Sequence, residues 1–345
     1  MKIGSALIGG FVRIQLAPRA VIVLATLGIG FCKPALAGVL VGESYVVQTP
    51  NGFTLGQLTN AGQPNGTPPS SVGFTGAYSS GAASTSTINV IPAGLNSTAT
   101  GYSGATGGAV QLNVSNNSVG SASTPDSRVT TRGLSYTSGS TYYYSALIQS
   151  ASTTALNAAE GAYVEFSNNS PTNYNDPLGA SGDRGFLVGL NGDGTHNSIV
   201  VKTTDGTNNS LVGHTVLSSL AANNQLNLVI LKVDVNANGT TDNFTVYVNP
   251  TNVSTEALAA STAANAANET FTADALTNNG DITRLGYELF NNGATGPNVV
   301  ADEPRIGTSF ADVVSGVPEP TSMGVVVMAG LTLLARRRRA ATYHR

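Results

Sequence analysis

The chain has 345 residues, of which only 10% are charged, and 40 of them are glycine. With 16 basic and 19 acidic side chains its formal net charge is −3. A single cysteine excludes an intrachain disulfide scaffold and a cysteine-rich metal site.

The first 37 residues have the pattern of a secretory signal peptide. Lys2 opens a basic segment, residues 20–31 form an apolar core too short to span a bilayer permanently, and Ala35 and Ala37 give a small-x-small cleavage site. We therefore predict export, with signal peptidase cutting after Ala37. A lipid-modified Cys32 is the alternative, which the bulky residue just before it disfavours.

Removal of both terminal segments changes the charge of the chain. Residues 38–316 retain 7 basic and 18 acidic side chains, so the body carries a net charge of about −11 and has no cysteine. This balance argues against nucleic acid and anionic lipid as partners, and it is compatible with cations or neutral polymers.

Residues 38–316 are predicted to form an all-β domain, an antiparallel β-sandwich. Clusters of Asn, Gly, Ser and Thr separate short runs that are rich in Val, Ile, Leu and Tyr. Many short strands joined by polar loops are typical of a sandwich. The predicted strands are residues 44–48, 109–114, 142–149, 163–166, 186–190, 199–203, 226–235, 244–248, 282–289 and 304–307.

Two of these runs are predicted to pair as a hairpin in the core. Residues 226–235 are apolar on both faces, as in a central strand, and residues 244–248 alternate between apolar and mixed positions. Residues 236–243 between them supply the Gly and Asn of a turn. Of the remaining segments, the alanine-rich residues 251–275 predict a short helix or an ordered loop, and residues 60–87 and 115–126 predict long surface loops.

The predicted hairpin turn is also a candidate metal site. Side-chain oxygens at alternate positions, followed by a glycine, match the first half of a Ca²⁺ loop, and Asp242 replaces the missing acidic residue at the end. The alternative is a turn that uses Asn and Gly for their left-handed conformations. The candidate Ca²⁺ ligands are Asp234, Asn236, Asn238 and Asp242.

The sequence offers little for catalysis, so we expect no catalytic residues, no bound organic cofactor and no enzymatic activity. His196 and His214 stand at spacings that suggest neither a metal site nor a serine triad. Glu165 lies within a predicted strand and is expected to be exposed. The run of tyrosines at residues 142–144 alternates between two faces, so at least one is expected in the core and the others are candidates for stacking on sugar rings.

The last 29 residues combine three zones, which we predict to be a membrane-stop signal with a short transmembrane helix. Pro318, Glu319 and Pro320 break the chain from the domain before it, and residues 323–335 are apolar and uncharged. Arg336, Arg337, Arg338 and Arg339 then hold the end on the cytoplasmic side. The apolar run is shorter than the roughly 20 residues that span a bilayer, so flanking residues or snorkelling arginines must add depth.

This tail resembles the PEP-CTERM sorting signal of Gram-negative bacteria. In that family a membrane-embedded protease, exosortase, recognises the motif and removes the tail. The resemblance implies that residues 318–320 are recognised and that residues 336–339 are the retention anchor. It also implies export through the inner membrane, transient anchoring in a Gram-negative-type envelope, and release to the cell surface or extracellular matrix.

The body resembles the concanavalin A-like or laminin G-like jelly-roll domains found on such proteins. The similarity is carried by residues 228–234, residues 244–250 and the run Asp302-Glu303-Pro304-Arg305-Ile306-Gly307-Thr308 just before the tail. It implies two antiparallel sheets with a face that binds carbohydrate or protein in relatives. Two departures are Pro304, where a β-branched residue is usual, and Phe310, where tryptophan is usual. A proline there predicts an edge strand or a bulge.

These observations predict three domains: the signal peptide at residues 1–37, the sandwich at residues 38–316 and the sorting tail at residues 317–345. The predicted function is a surface or matrix protein that uses a lectin-like sandwich for adhesion or contact with exopolysaccharide or another glycan. The alternatives are a polysaccharide hydrolase or lyase on the same scaffold, and a structural coat protein without a discrete ligand.

Overall fold

The computed structural model describes the sandwich body. The described residues are 39–45, 47, 53–58, 71–79, 88–104, 107–113, 126–135, 140–158, 160–168, 184–204, 211–220, 224–236, 241–265, 269–273, 276, 282–291 and 298–315. All of them lie in the compact unit Ala37–Arg345. The predicted signal peptide and sorting tail fall outside these residues, and among the described helices none is long and apolar enough to cross a membrane.

The described elements are almost all strands. They are β1 (Val39–Glu43), β2 (Gly56–Gln57), β3 (Ser71–Val72), β4 (Phe74–Ser79), β5 (Ile88–Ile91), β6 (Ala109–Leu112), β7 (Asp126–Leu134), β8 (Thr141–Ser150), β9 (Gly161–Ser167), β10 (Gly185–Gly192), β11 (Asn197–Thr204), β12 (Leu211–Leu217), β13 (Leu226–Asp234), β14 (Asp242–Val248), β15 (Glu269–Ala273), β16 (Arg284–Asn291) and β17 (Val299–Gly307). Two short helices, α1 (Glu256–Thr262) and α2 (Phe310–Val314), complete the set.

The strands form two antiparallel sheets. Within the described part of the chain, the large sheet has ten strands in the order β15-β14-β13-β8-β17-β6-β5-β2, with β1 beside β17 and β3 beside β1. The small sheet has seven strands in the order β12-β11-β10-β9-β16-β7-β4. The prediction of an antiparallel β-sandwich is therefore confirmed.

The main core lies between the two sheets, because alternate residues of their central strands face each other there. From the large sheet, Tyr144 and Leu231 point into this core, and from the small sheet Phe166 and Phe186 do so. Tyr144 meets the two phenylalanine rings edge-on, at centroid distances of 5.2 Å and 4.7 Å. The alternation of strand side chains thus gives each sheet one face toward this core and a second face away from it.

The hairpin prediction is confirmed. β13 pairs with β14 from Val229 opposite Val248 to Asp234 opposite Asn243. Leu228 and Ile230 of β13 join a second apolar cluster on the outer face of the large sheet, which explains why both faces of this strand are apolar. Tyr143 also lies in that outer cluster, while Tyr142 and Tyr144 lie in the main core, as the alternation predicted.

Pro304 forces a bulge, as expected of a proline in a central strand. The pairing of β17 with β8 shifts between Asp302 and Arg305, and Glu303 adopts a positive φ of 52° at the shift. The proline needs no ladder partner for its missing N–H because it stands inside this irregularity.

Three local predictions are wrong or incomplete. The strand expected at residues 44–48 ends earlier, as β1, because Tyr45 has a φ of 48° that breaks extended structure. The loop expected at residues 60–87 contains β3 and β4, whose few large apolar residues are Val72, Phe74 and Tyr78 among smaller residues. The alanine-rich segment divides into the short α1 and the edge strand β15.

Candidate functional site

The outer face of the small sheet carries two glutamates on adjacent strands. On β9, Val164 and Phe166 face the main core, so Glu165 between them points to the opposite face. On β16, Leu285, Tyr287 and Leu289 face the same core, so Glu288 also points outward. Both glutamates therefore belong to one face of one sheet.

The strand register brings these glutamates close together. Glu165 pairs with Gly286 of β16, and Glu288 pairs with Tyr163 of β9, so the two glutamates are diagonal neighbours across the ladder. The backbone positions of diagonal neighbours on one face of an antiparallel pair are about 7–8 Å apart. Glu165 and Glu288 are both fully buried at 0% exposure, although acidic side chains rarely occupy such positions without a specific role.

A lysine and two aromatic rings lie next to the glutamates. The Lys202 ammonium is 4.4 Å from the ring centroid of Tyr163 and 4.4 Å from that of Phe290. The two rings meet edge-on at a centroid distance of 5.8 Å. Burial lowers the pKa of Lys202, and the charge of Glu288 opposes that shift.

Tyr163 lies flat along the sheet because the strands beneath it carry glycine. A Cβ at Gly161 or Gly189 would approach Tyr163 ring carbons to 2.6 Å, so neither position accepts a larger residue without moving the ring. The Tyr163 hydroxyl donates a hydrogen bond of 2.9 Å to Asn191 Oδ1. Burial, and then the charge of Glu288, raise the pKa of this tyrosine well above its usual value, so it remains a proton donor at neutral pH.

We call this group of Tyr163, Glu165, Lys202 and Glu288 the small-sheet site. Two carboxyl groups on neighbouring positions of one sheet face can transfer protons on both sides of one bond. The expectation that Glu165 is exposed is wrong. Period-two alternation correctly separates its side chain from the core, but alternation contains no information on whether the second face of the sheet is covered.

Sequence reasoning missed Glu288 and Lys202. A usable signal was present, because residues 163–166 and 282–289 were both predicted strands and each has a glutamate at a position that alternates away from the apolar side. What the sequence did not supply is the adjacency of β9 and β16, which are separated by more than a hundred residues and meet only through the sheet topology.

Two described carboxylates of the candidate Ca²⁺ loop already contact other protein groups. Asp234 Oδ1 accepts a 2.8 Å hydrogen bond from Thr141, and its Oδ2 lies 3.8 Å from Lys232 Nζ. Asp242 is fully buried and accepts the backbone N–H groups of Asn236 at 2.9 Å and Leu276 at 2.7 Å. These bonds stabilise a hairpin turn, while Ca²⁺ binding there stays a prediction.

Other predicted site residues are separate from the small-sheet site or undescribed. Asn238 and the sorting residues Ala35, Ala37, Pro318, Glu319, Pro320 and Arg336–Arg339 lie outside the described residues. The imidazole of His214 stacks on Phe271 at 3.9 Å, and burial lowers its pKa. Across the described ranges, no three His, Cys, Asp or Glu side chains are grouped to hold a metal ion.

A scan against protein-family models finds no match, and neither does a search of curated proteins. Solved structures similar to this chain include a botulinum neurotoxin type G receptor-binding domain, at a TM-score of 0.39 and 11% identity over 80% of this chain and 50% of that one. An engineered GH43 glycoside hydrolase with endo-xylanase and exo-arabinofuranosidase activity matches at a TM-score of 0.36 and 12% identity, over 65% of this chain and 36% of that one.

An alginate lyase, vAL-1 from Chlorella virus, matches at a TM-score of 0.37 and 9% identity, over 64% of this chain and 90% of that one. The chain thus spans half or less of the first two matched proteins. The expectation that the chain is not an enzyme is contradicted by the presence of a hydrolase and a lyase among these matches, and we withdraw it.

Proposed function

We propose that this chain is an exported polysaccharide hydrolase, with Glu165 and Glu288 as the carboxyl pair that cleaves a glycosidic bond. One observation carries the proposal: two fully buried glutamates are diagonal neighbours on one sheet face. Glycosidases that invert configuration hold their carboxyl groups about 6.5–9.5 Å apart, and those that retain it hold them about 5–5.5 Å apart. The two strand positions are about 7–8 Å apart at the backbone, and glutamate side chains are long enough to bring their carboxyl groups to either separation.

The surroundings of the two glutamates suggest different roles. Glu288 lies beside Lys202, whose positive charge favours a carboxylate, so Glu288 is the general base that activates water. Glu165 has the negative Glu288 as its diagonal neighbour, and that charge favours the protonated form of Glu165, the general acid, against the hydrogen bond that its carboxylate accepts from Ser167. The half-buried ring of Phe290, which meets the buried Tyr163 edge-on, gives the site an aromatic surface that a sugar ring can pack against.

The charge of the body supports a neutral polysaccharide as substrate. At about −11 over residues 38–316, the body repels an anionic polymer at long range and leaves a neutral one unaffected. The sequence predicts contact with exopolysaccharide at the cell surface, and in this proposal the exopolysaccharide is the substrate of the hydrolase.

The carboxyl pair is tested by changing each glutamate to glutamine, which preserves size and removes acid–base chemistry. Release of reducing ends from xylan, galactan and β-glucan should fall by about 10²–10⁴-fold in Glu165→Gln and in Glu288→Gln. Glu160→Gln is the matched control, because Glu160 is equally buried but lies just before β9, where Oε2 accepts Asn157 N–H at 2.7 Å. Unchanged rates in both site variants, or no release by the parent protein, refute the proposal.

A second candidate reaction is lyase cleavage of a uronic-acid polymer. It is favoured by Lys202, because burial between two rings lowers its pKa and so makes a neutral, proton-accepting amine more accessible. Lyase activity would appear as an unsaturated, ultraviolet-absorbing product from alginate or pectate, and Lys202→Met would abolish it. A saturated product from every polymer excludes this candidate.

We also propose that the tail at residues 317–345 is a removable sorting signal, recognised by exosortase at Pro318, Glu319 and Pro320. Its support is the order of motif, apolar run and four arginines in the sequence. Replacing residues 318–320 by alanine should leave the full-length mass in the membrane fraction of the native host. An unchanged mature mass and surface location of this variant contradict the proposal.

A further inference from the structure

A polar cleft lies on the outer face of the large sheet, between the first residues of α1 and α2. Its volume is about 520 Å³. Its floor is Tyr143 and Lys232, and its walls include Ser254, Glu256 and Ser309. Thus hydroxyl, ammonium and carboxylate groups converge on one concavity on a face to which the small-sheet site does not belong.

The floor of the cleft is held in place by Glu256, the first residue of α1. Its Oε2 accepts the Tyr143 hydroxyl at 2.7 Å and its Oε1 accepts the Tyr247 hydroxyl at 2.8 Å. Lys232 Nζ lies 3.7 Å from Glu256 Oε1 and 3.8 Å from Asp234 Oδ2. These contacts fix the carboxylate and leave the ammonium partly exposed, at 28% of its side-chain surface.

The second wall is fixed by α2. Asp312 Oδ2 accepts the backbone N–H groups of Thr308 at 3.0 Å and Ser309 at 2.8 Å, which holds the chain at the start of the helix. Phe310 packs edge-on against Tyr143 at a centroid distance of 6.0 Å and thereby ties this wall to the floor. The cleft is therefore formed before any ligand arrives.

The lining selects among classes of ligand. The ammonium of Lys232 has one carboxylate beside it within the lining, that of Glu256, and a second just outside the lining, that of Asp234, so an anionic ligand meets net negative charge. A purely apolar ligand would leave the ammonium and the exposed hydroxyls of Ser254 and Ser309 without water or partners. A neutral, polyhydroxylated molecule can accept from Lys232 and exchange hydrogen bonds with the hydroxyls.

We propose that this cleft is a second glycan site, which binds a neutral saccharide unit and performs no chemistry. Its ligand class follows from its own lining, so it does not depend on catalysis at the small-sheet site. With one site on each outer face of the sandwich, a single protein molecule can bind one polysaccharide strand at the cleft while the small-sheet site cleaves a neighbouring strand. Binding at the cleft therefore raises the effective concentration of substrate.

The test is a matched pair of tryptophan variants of the purified protein. Ala311 is exposed, lines the cleft and is the second residue of α2, so Ala311→Trp fills the space. Ala257 is exposed, is the second residue of α1 and is not part of the lining, so Ala257→Trp is the control. Calorimetric titration with neutral xylo-, galacto- and gluco-tetrasaccharides should show binding that Ala311→Trp weakens by about tenfold or more and Ala257→Trp leaves unchanged.

A second variant, Lys232→Met, removes the donor without filling the cleft and should also weaken binding. The proposal is overturned if none of the three tetrasaccharides binds the parent protein, if only tetragalacturonate binds, or if both tryptophan variants bind alike. Reducing-end release is measured on the same samples. If Ala311→Trp loses binding and no sample releases reducing ends, the second glycan site is upheld and the proposed hydrolase is refuted. If the parent protein hydrolyses polysaccharide and the two tryptophan variants bind the tetrasaccharides equally well, the hydrolase is upheld and the second glycan site is refuted.

Discussion

The two outer faces of the sandwich use charged and aromatic residues in opposite ways. On the large sheet, two short helices cover an apolar cluster, and the charged groups Lys232 and Glu256 lie at its border, each partly exposed. On the small sheet, Glu165 and Glu288 belong to the strands themselves and are fully buried. At these two sites, the large sheet therefore keeps its charges where water still reaches them, and the small sheet removes them from water. The fully buried Glu303 elsewhere on the large sheet is paired with Arg305.

This difference in burial indicates which charged residues stabilise the fold and which serve a function. Partly exposed ion pairs cost little to form, so the large-sheet arrangement is compatible with ordinary packing of α1 and α2. Burying two acidic groups within reach of each other is costly, and such clusters are concentrated at functional sites. We therefore place the chemistry on the small sheet and binding on the large one.

The largest stability effect is expected on the large-sheet side, at Arg305. This buried side chain pairs with Glu303 at 2.6 Å and donates to the carbonyls of Val313, Ser315 and Ser103 at 3.2, 3.0 and 2.7 Å, which connects β17 to the end of α2. Arg305→Met leaves a buried carboxylate and three carbonyls without this donor, at a cost of about 3–5 kcal/mol. Urea unfolding measures this loss.

Lys232→Met is the control for Arg305→Met, since it removes a cation from the same sheet whose ion pairs are partly exposed. Its cost should be below about 1 kcal/mol. Equal losses of unfolding free energy in the two variants would contradict the expectation that the buried ion pair of Arg305 stabilises this face more than the partly exposed ion pairs of Lys232.

A second prediction uses a buried carboxylate from the interior. Burial raises the pKa of Glu43 to about 7, against the opposing charge of Arg132, whose Nη1 lies 2.7 Å from Glu43 Oε2. Because the folded pKa lies above the unfolded value, the folded state binds the extra proton between about pH 4.5 and pH 7. Its contribution to stability is present below that window and is lost as pH rises through it, by roughly 3 kcal/mol.

The measurement is the unfolding free energy of the parent protein and of Glu43→Gln at pH 5 and pH 7. The parent should lose more stability than the variant over this interval. If the unfolding free energies of the two proteins change in parallel between pH 5 and pH 7, the pKa of Glu43 is not raised in the folded state.

The smallest effect compares the two faces directly. Glu288→Gln removes a buried carboxylate charge and the cost of keeping it away from water, so unfolding should become harder by about 1 kcal/mol, as expected when a costly functional group is replaced. Glu256→Gln weakens two charge-assisted bonds from Tyr143 and Tyr247 and should cost about 1 kcal/mol. Destabilisation by both variants, of similar size, would mean that both glutamates are structural.

The sequence predicted much of the fold and little of the site. Alternation in residues 226–235 and 244–248 was sufficient for the central hairpin, because each strand carries its own pattern and the turn between them is local. The strands β3 and β4 were missed, since Gly, Ser and Thr dominate them and their pairing partners β1 and β7 are distant in sequence. The small-sheet site was missed for the same reason: Glu165 and Glu288 meet only because β9 and β16 are neighbours.

The most direct test of the account is the configuration of the first product. Proton NMR during cleavage of a neutral polysaccharide by the parent protein reports which anomer appears before mutarotation. Catalysis by one carboxyl pair predicts that a single anomer appears first, whether configuration is inverted or retained, and that its signal is absent in Glu165→Gln and Glu288→Gln. An equal mixture of anomers at the first time point, or the same product from either variant, would contradict the assignment of catalysis to this pair.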